Sequence, residues 1–288
     1  MKKLVIIGLI IGVIALAGCG KEKVSYSEED GIFFQKIGKF EVYTLIEAER
    51  DGNAGILVNA DQEILDKFIP ADGFRHTANA FLVKANGKNI MIDAGTGVNG
   101  ILIDRIKKIG VEPEDIDIVL ITHLHGDHFG GLQRDGVANF PNATVYMNEI
   151  ELEYFTEINV NQAAIAALTL YESKIDIFCL HAGEFELFPG ITPIAAYGHT
   201  PGHTLYQIEN GKDKLLIIGD LLHVALVQFA IPEISATLDI DPIEAAQTRR
   251  QVLSYAASNN IPVGGMHIVY PGVGAVETDE SGFKFLPF

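Results

Sequence analysis

The run I-T-H-L-H-G-D-H-F-G-G at residues 121–131 sets three histidines and an aspartate within six positions, between an apolar lead-in and two glycines. On an extended segment, side chains two apart point the same way, so His123 and His125 can grip one ion from a strand end. Asp127 and His128 follow where Gly126 and Gly130-Gly131 let the backbone turn into a helix, and facing the other way they can grip a second ion. Four ligand-type side chains flanked by glycine, with no helical repeat, do not form the pattern of a solvated polar patch.

Two divalent ions need more ligands than one loop supplies, and the chain offers them where other apolar strands stop. D-I-V-L-I-T (117–122) reads as a buried strand that delivers the first motif at its C-terminal end. G-H-T-P-G-H-T (198–204) begins where a second apolar strand ends, I-I-G-D closes a third on Asp220, and M-H-I-V-Y-P-G (266–272) puts His267 at a fourth. Strand termini on one edge of a layered sheet converge, and ligands drawn from several loops on a rigid scaffold build such a site.

The rest of the chain reads as that scaffold. Apolar segments at 40–46, 79–85 and 88–95 come first, the last two joined by Asn86-Gly87, whose tolerance of positive φ marks a hairpin. A helix is predicted over 98–109, strands over 144–147, 191–197, 204–208, 214–219 and 262–268, and helices over 149–157, 161–173 and 242–258. No Pro/Gly/Ser-rich linker, low-complexity run or repeat divides residues 36–288, which predicts one domain; its 48% hydrophobic content supports a real core. Hairpins first, then strands alternating with helices, predict an α/β layered fold of mixed sheets with helices outside.

At the N-terminus two lysines precede an apolar run over residues 4–17 and small residues up to Cys19. About fourteen apolar residues fall short of the roughly twenty that span a bilayer, so the pattern reads as a secretory signal. Leu16-Ala17-Gly18-Cys19 resembles the lipobox of bacterial lipoproteins, with an uncleaved anchor as the alternative. The resemblance implies loss of residues 1–18, acyl chains on Cys19, a tether over 19–35, and an exported protein held at a membrane surface of the cell envelope. Loss of Lys2 and Lys3 takes the formal charge from −17 to −19. That disfavours nucleic acid and anionic lipid as partners and favours neutral or cationic small molecules. With Cys19 lipidated no intramolecular disulfide is available, and the neighbours I-D-I-F-C-L predict a buried structural thiol at Cys179.

H-L-H-G-D-H followed in order by G-H-T-P-G-H, G-D and a late histidine resembles the metallo-β-lactamase superfamily over nearly all of residues 40–275; N-A-F-L-V and I-D-A-G-T-G resemble its early hairpin. The resemblance implies a four-layered αββα sandwich of two mixed β-sheets with helices outside. It also implies that His123, His125 and His199 hold one ion, that Asp127, His128 and His267 hold the other, and that Asp220 bridges both. Asp93 then steadies the histidine loop. His203 becomes a loop brace, although the sequence alone leaves a swap with His199 open. His76 and His181 have no supporting context and read as ordinary histidines. The ligand types suit two zinc ions, with manganese, iron or cobalt able to occupy the same set. A water bridging two such ions loses its proton near neutral pH, which implies hydrolysis with a bridging hydroxide. No G-x-S-x-G elbow is present to compete.

Thiolate-containing β-lactamases carry cysteine where this chain has Asp220, which disfavours a penicillin substrate. The stretch following Asp220, with 140–146 and 267–274, resembles the branch of methyl parathion hydrolase and quorum-quenching lactonases. Many acyl homoserine lactonases place a tyrosine three residues after the bridging aspartate; here that position is His223, either a donor to the substrate oxygen or a brace for its loop. The catalytic candidates are Asp220, as bridge and proton shuttle, with Asp127 and His223. Phe229 and Tyr270 either line a pocket or pack in the core. The expected function is therefore hydrolysis of a neutral apolar ester, lactone or organophosphate triester. A thioesterase of the glyoxalase II kind is the alternative enzyme, and a solute-binding lipoprotein the alternative outside enzymes. The apolar stretch within 158–180 reads as a homodimer face, a lid or a core-packed amphipathic helix.

Overall fold

The computed structural model describes residues 26–97, 101–180 and 185–288. The expected signal segment, Cys19 and His181 lie outside these residues, as do the first three residues of the helix predicted from 98. In chain order the strands are β1 (Ile32–Ile37), β2 (Phe40–Asp51), β3 (Leu57–Val58), β4 (Arg75–Ala85), β5 (Lys88–Ile92), β6 (Ile118–Leu120), β7 (Gln133–Arg134), β8 (Val137–Ala138), β9 (Thr144–Asn148), β10 (Ile175–Phe178), β11 (Ile191–Ala195), β12 (Thr204–Asn210), β13 (Asp213–Ile217), β14 (Ser235–Ala236), β15 (Val263–Gly264), β16 (Val273–Asp279) and β17 (Gly282–Pro287). The α-helices are α1 (Gln62–Phe68), α2 (Ile101–Lys108), α3 (Gly126–Phe129), α4 (Glu149–Glu153), α5 (Gln162–Thr169), α6 (Ala225–Gln228) and α7 (Pro242–Asn259).

A seven-stranded sheet runs β1-β2-β4-β5-β6-β9-β10 and a six-stranded sheet runs β11-β12-β13-β15-β16-β17. Both are mixed: β5, β6, β9 and β10 pair in parallel, as do β13 and β15, while the other neighbours in the two sheets are antiparallel. The period of two along each strand sorts the apolar residues between layers. Phe81, Val83, Ile90 and Ile92 face the second sheet and meet Tyr206, Leu215, Ile217 and Val273. Their neighbours Leu82 and Met91 face outward onto Leu102 and Ile106 of α2 and Ala164 and Leu168 of α5. On the far side Leu205, Leu216 and Val276 pack against Leu253 and Ala256 of α7. The layers are therefore helix, sheet, sheet, helix. Because both faces of the central strands are covered, they read as continuous apolar runs. Each fully buried aliphatic or aromatic side chain contributes about 1.5–3 kcal/mol to holding the layers together.

Asn86 and Gly87 take φ of 52° and 78° and close the β4–β5 hairpin, Ala85 opposite Lys88, as their sequence predicts. Asp241 caps α7 by accepting from Ile243 N and Glu244 N, with Pro242 at the first helical position and Asn260 in the left-handed conformation at the other end. Among the described residues no helix is long and apolar enough to cross a membrane.

Several expectations are corrected. Residues 32–35, expected in the tether, belong to β1, which pairs along its whole length with β2. Cys179 is exposed rather than buried. It lies just beyond the edge strand β10, and alternation turns Phe178 and Leu180 inward and the thiol out. The strand expected over 262–268 pairs only at Val263–Gly264, so His267 comes from a loop. The helix expected over 149–157 changes at Tyr154 into one turn of π-helix. In the stretch 158–180, Ala164, Ala167 and Leu168 of α5 are buried in the core, in keeping with the core-packed reading.

Candidate metal centre

β5 ends at Ile92, β6 at Leu120, β11 at Ala195, β13 at Ile217 and β15 at Gly264, and the segments that follow them meet. After β6 the backbone passes His123, is extended at His125 and then turns into α3 with Asp127 and His128, the local arrangement the spacing predicts. His123 Nε2, His125 Nδ1 and His199 Nε2 form a triangle with sides of 3.0, 3.1 and 3.2 Å. Asp220 Oδ2 stands 3.6 Å from His123 Nε2 and 3.5 Å from His199 Nε2. Four donors bound tetrahedrally at zinc distances lie about 3.3 Å apart, so this set has the right size for one ion.

The second set surrounds the other side of Asp220. His128 Nε2 is 3.1 Å from Asp220 Oδ1, and His267 Nε2 is 3.1 Å from Asp220 Oδ2. Asp127 lies 3.7 Å from each of these two imidazole nitrogens through its two oxygens. All seven residues assigned to metal binding from the sequence are thus brought together, divided as the motifs divide them.

The outer nitrogens show which way the imidazoles point. His128 Nδ1 donates to Asp93 Oδ2 at 2.7 Å, His267 Nδ1 to the Thr77 carbonyl at 2.7 Å, and His199 Nδ1 to Asp239 Oδ1 at 2.9 Å. His123 Nδ1 donates to Thr122 Oγ1 at 3.0 Å, and that hydroxyl donates onward to Asp93 Oδ2 at 2.7 Å. Each acceptor takes the Nδ1 proton and so turns the Nε2 edges of four rings onto the Asp220 carboxylate, where each ring in its neutral form offers a lone pair. His128 Nε2 and Asp220 Oδ1, both buried, make no hydrogen bond. Buried polar atoms without partners are costly, and in the neutral form that binds metal the Nε2 lone pairs would face the carboxylate and repel it. Divalent cations answer both problems, and the donor set fits two of them.

The charges point the same way. Burial holds His123 and His125 below the ordinary imidazole range and pushes His199 down to about 3, so all three are neutral, the form that binds metal. Burial alone would raise Asp220, but His128, His267 and His123 hold it well below the usual carboxylate range. Burial likewise opposes Asp127, and His128 and His267 together with a backbone hydrogen bond leave that carboxyl low. His128 and His267 are raised against the effect of burial, in both cases chiefly by Asp220. The second set is thus a web of buried ion pairs whose imidazolium protons metal binding would displace.

His203 is the brace rather than a donor: Nδ1 donates to the Ala196 carbonyl at 3.0 Å and Nε2 accepts from Asp220 N at 3.0 Å. Gly219 makes room for it, since a Cβ there would lie 2.5 Å from His203 Nε2 and φ is +50°. His223 is buried with its backbone N held by Gln228 Oε1 at 2.7 Å, and neither ring nitrogen has a hydrogen-bond partner. Its Nε2 lies 3.3 Å from Asp220 Oδ2.

Three residues escaped the sequence reading. Asp239 orients His199. Glu151, buried at the start of α4, accepts from Leu124 N at 2.7 Å, Thr200 Oγ1 at 2.6 Å and Gly202 N at 3.0 Å, and so ties both histidine loops together. His76, taken as an ordinary histidine, stacks on His267 with ring centroids 4.4 Å apart and lines the cavity; burial pushes it down to about 4.

That cavity, about 630 Å³, opens onto Asp127, Asp220, His223 and His267, and Ile56, Phe74 and Leu238 form part of its wall. A second cavity of about 730 Å³ shares Phe74, His223 and His267 with it and is walled largely by apolar residues, Phe229 and Tyr270 among them. Of the loop after Asp220, Val224 lines the first cavity and Ala225, Leu226 and Ala230 the second, while Leu221 and Leu222 are core.

Residues 73–260 match the family model described as the Metallo-beta-lactamase superfamily. An N-acyl homoserine lactonase of Bacillus cereus is 26% identical over 117 residues, which is 41% of this chain and 42% of that protein. The N-acyl homoserine lactonase AttM of Agrobacterium fabrum is 30% identical over 129 residues, 40% and 45% of the two lengths. The chain thus spans less than half the length of the curated relatives it matches. Among solved structures, the hydrolase AbOPH of the beta lactamase superfamily superposes with a TM-score of 0.82 at 28% identity, over 90% of this chain and 97% of its own. AidC, a dizinc quorum-quenching lactonase in complex with a product, gives a TM-score of 0.81 at 25% identity over the same shares.

Proposed function

The chain belongs to the metallo-β-lactamase superfamily, and from that premise we propose that it is a dinuclear metal-dependent hydrolase acting on a neutral apolar ester, lactone or organophosphate triester. The observation that carries this is the convergence of four Nδ1-anchored imidazoles on the buried Asp220 carboxylate beside a cavity. The dizinc lactonase among its structural neighbours supports zinc and a lactone.

Two bound divalent cations would polarise a carbonyl or phosphoryl oxygen and bring a shared water into its deprotonated form near neutral pH. The chain's own residues do the rest. His123, His125, His199 and Asp220 would hold one ion; Asp127, His128, His267 and Asp220 would hold the other. Asp220, which would reach both ions, is the candidate to accept the attacking water's proton and pass it to the departing oxygen. His223, clamped through its backbone while its ring nitrogens make no hydrogen bond, would donate to the substrate's oxygen rather than only brace its loop. His76, Phe74 and Ile56 shape the cavity beside the centre.

Metal analysis of the purified chain, with a panel of homoserine lactones, phosphotriesters, aryl esters and S-lactoylglutathione, tests the proposal. The expected result is two metal equivalents per chain and a loss of at least about 100-fold in ester hydrolysis in Asp220→Asn. A metal-free protein that binds solutes overturns it, and a wide preference for the thioester replaces it with the glyoxalase II-like reading. Export as a lipoprotein is proposed from residues 1–19 alone: Cys19→Ser should move the protein from the membrane fraction to the soluble one, and an unmodified Cys19 in the mature protein rejects it.

A further inference from the structure

Arg249, in the middle of α7, is 1% exposed and heads the largest fully buried side chains among the described residues. A guanidinium withdrawn from water is tolerated only where its donors are met. Here Nε donates to the Leu221 carbonyl at 2.6 Å, Nη1 to the carbonyls of Pro232 and Ile234 at 2.8 Å each, and Nη2 pairs with Asp239 Oδ2 at 3.4 Å. Each of these acceptors belongs to a segment that builds the site. Leu221 follows Asp220 directly. The Ile234 carbonyl also accepts from Gln228 Nε2 at 3.0 Å, and Gln228 Oε1 in turn holds His223 N. Asp239 accepts from His199 Nδ1 through its other oxygen.

Anchoring α7 does not require this residue to be charged, because Ala245, Leu253 and Ala256 already bury the helix against the sheet through apolar contact. What the guanidinium adds is a fixed relation between the loop of Asp220 and His223 and the carboxylate that orients His199. It also neutralises Asp239, which would otherwise be a buried anion.

We propose that Arg249 is a positioning residue for the metal centre, acting through Asp239 on His199 and through the Leu221 carbonyl on Asp220, so that these two donors meet the same ion. The proposal rests on the metal-dependent reading above. Lysine cannot replace it, because the planar fork serves three carbonyls and a carboxylate at once and an ammonium on a flexible stem cannot. Removing such an outer partner lowers metal affinity by about 10- to 100-fold.

The test uses the full chain, stripped of metal and titrated with Co²⁺, as wild type, Arg249→Lys, Arg249→Met, Asp239→Asn and the Arg249→Lys/Asp239→Asn double variant. Stoichiometry, affinity by chelator competition, the visible Co²⁺ spectrum and the unfolding midpoint with and without metal are read for each. Arg249→Lys should weaken one of the two ions by about 10-fold or more, change the ligand-field bands, and shrink the rise in midpoint that metal brings. In the double variant the affinity loss should be less than the product of the single losses. If Arg249→Lys lowers both midpoints equally and leaves affinity and spectrum within twofold of wild type, the residue is structural and the proposal is overturned. If Arg249→Met does not fold, Arg249→Lys and Asp239→Asn carry the same readings. A wild-type chain that binds no Co²⁺ fails the functional reading itself, and this inference with it.

Discussion

Asp93 has φ of +58° while fully buried, a left-handed conformation that aspartate tolerates but does not favour. It accepts from Thr122 N at 2.8 Å, from the Thr122 hydroxyl and from His128 Nδ1, so the turn after β5 sets the tautomer of two predicted ligands. Asparagine keeps the backbone geometry but turns an N–H₂ toward one set of these donors. Asp93→Asn should therefore stay folded and lose about 10- to 100-fold in metal affinity; unchanged retention under chelator would show that Asp93 is only a turn residue. Glu151 offers a prediction in pH. Burial pushes its carboxyl to about 7 despite three donors, against 4.5 for an ordinary glutamate. The folded value is the higher one, so the stabilisation it contributes is full below about 4.5 and is lost as pH rises through about 7. In the metal-free protein the stability difference between wild type and Glu151→Gln should fall by about 2–3 kcal/mol from pH 5 to pH 8 in urea titrations. A difference that stays flat would mean the carboxylate is ionised throughout. The ligands were legible in the sequence because four of them sit in one six-residue window and the others end apolar runs. Asp239 and Glu151 were not, because each is an isolated acid whose partners in the histidine loops lie 27 to 51 residues away.

Elements place the site with different degrees of firmness. The excursion over 52–74 joins β2 and β4, which are neighbours in the sheet with Asp51 opposite Arg75. It leaves the sheet, pairs β3 with β14, and packs Ile64 and Phe68 of α1 on Val224, Val227 and Ile234 in a satellite cluster apart from the three main ones. α1 buries none of its own residues fully. Its amides should exchange with solvent by local opening, at a free energy well below that of Leu82 and Met91 in the sheet; exchange of α1 only through global unfolding would contradict this. The loop between β11 and β12 is held more tightly. Gly198 has φ of +120°, and a Cβ there would lie 2.2 Å from Ala245 N in the first turn of α7. Gly198→Ala should destabilise the protein by at least about 1–3 kcal/mol and loosen His199, read as a lower midpoint and weaker metal retention together. The central strands were legible because burial on both faces writes them as unbroken apolar runs. The edge strands β1 and β10 were not, since most of their residues are only partly buried or exposed and their apolar residues are broken by Gln35, Lys36 and Asp176.

At the scale of the whole molecule the mixed sheets with helices outside followed from alternation and the order of elements, and the four layers from the family resemblance, whereas the identity of the substrate depends on cavity walls assembled from distant segments. Net charge adds one constraint that the cavity does not. The sequence carries a formal charge of −17, while the proposed centre would hold two dications amid neutral imidazoles and two carboxylates. The range of these two fields differs. At about 10 mM salt the Debye length is near 30 Å, and an approaching ester feels the whole acidic surface; at about 0.15 M it is near 8 Å, and only the local centre counts. An anionic hemiester should therefore show a kcat/KM at least about tenfold below that of its neutral methyl ester at low salt, and the ratio should close as salt is added, because repulsion slows encounter rather than chemistry. Measuring both esters from 10 mM to 0.5 M salt decides the point: a ratio that does not move with salt would place discrimination in the cavity walls, and a preference for the anion at low salt would mean the centre's positive field outreaches the acidic shell around it.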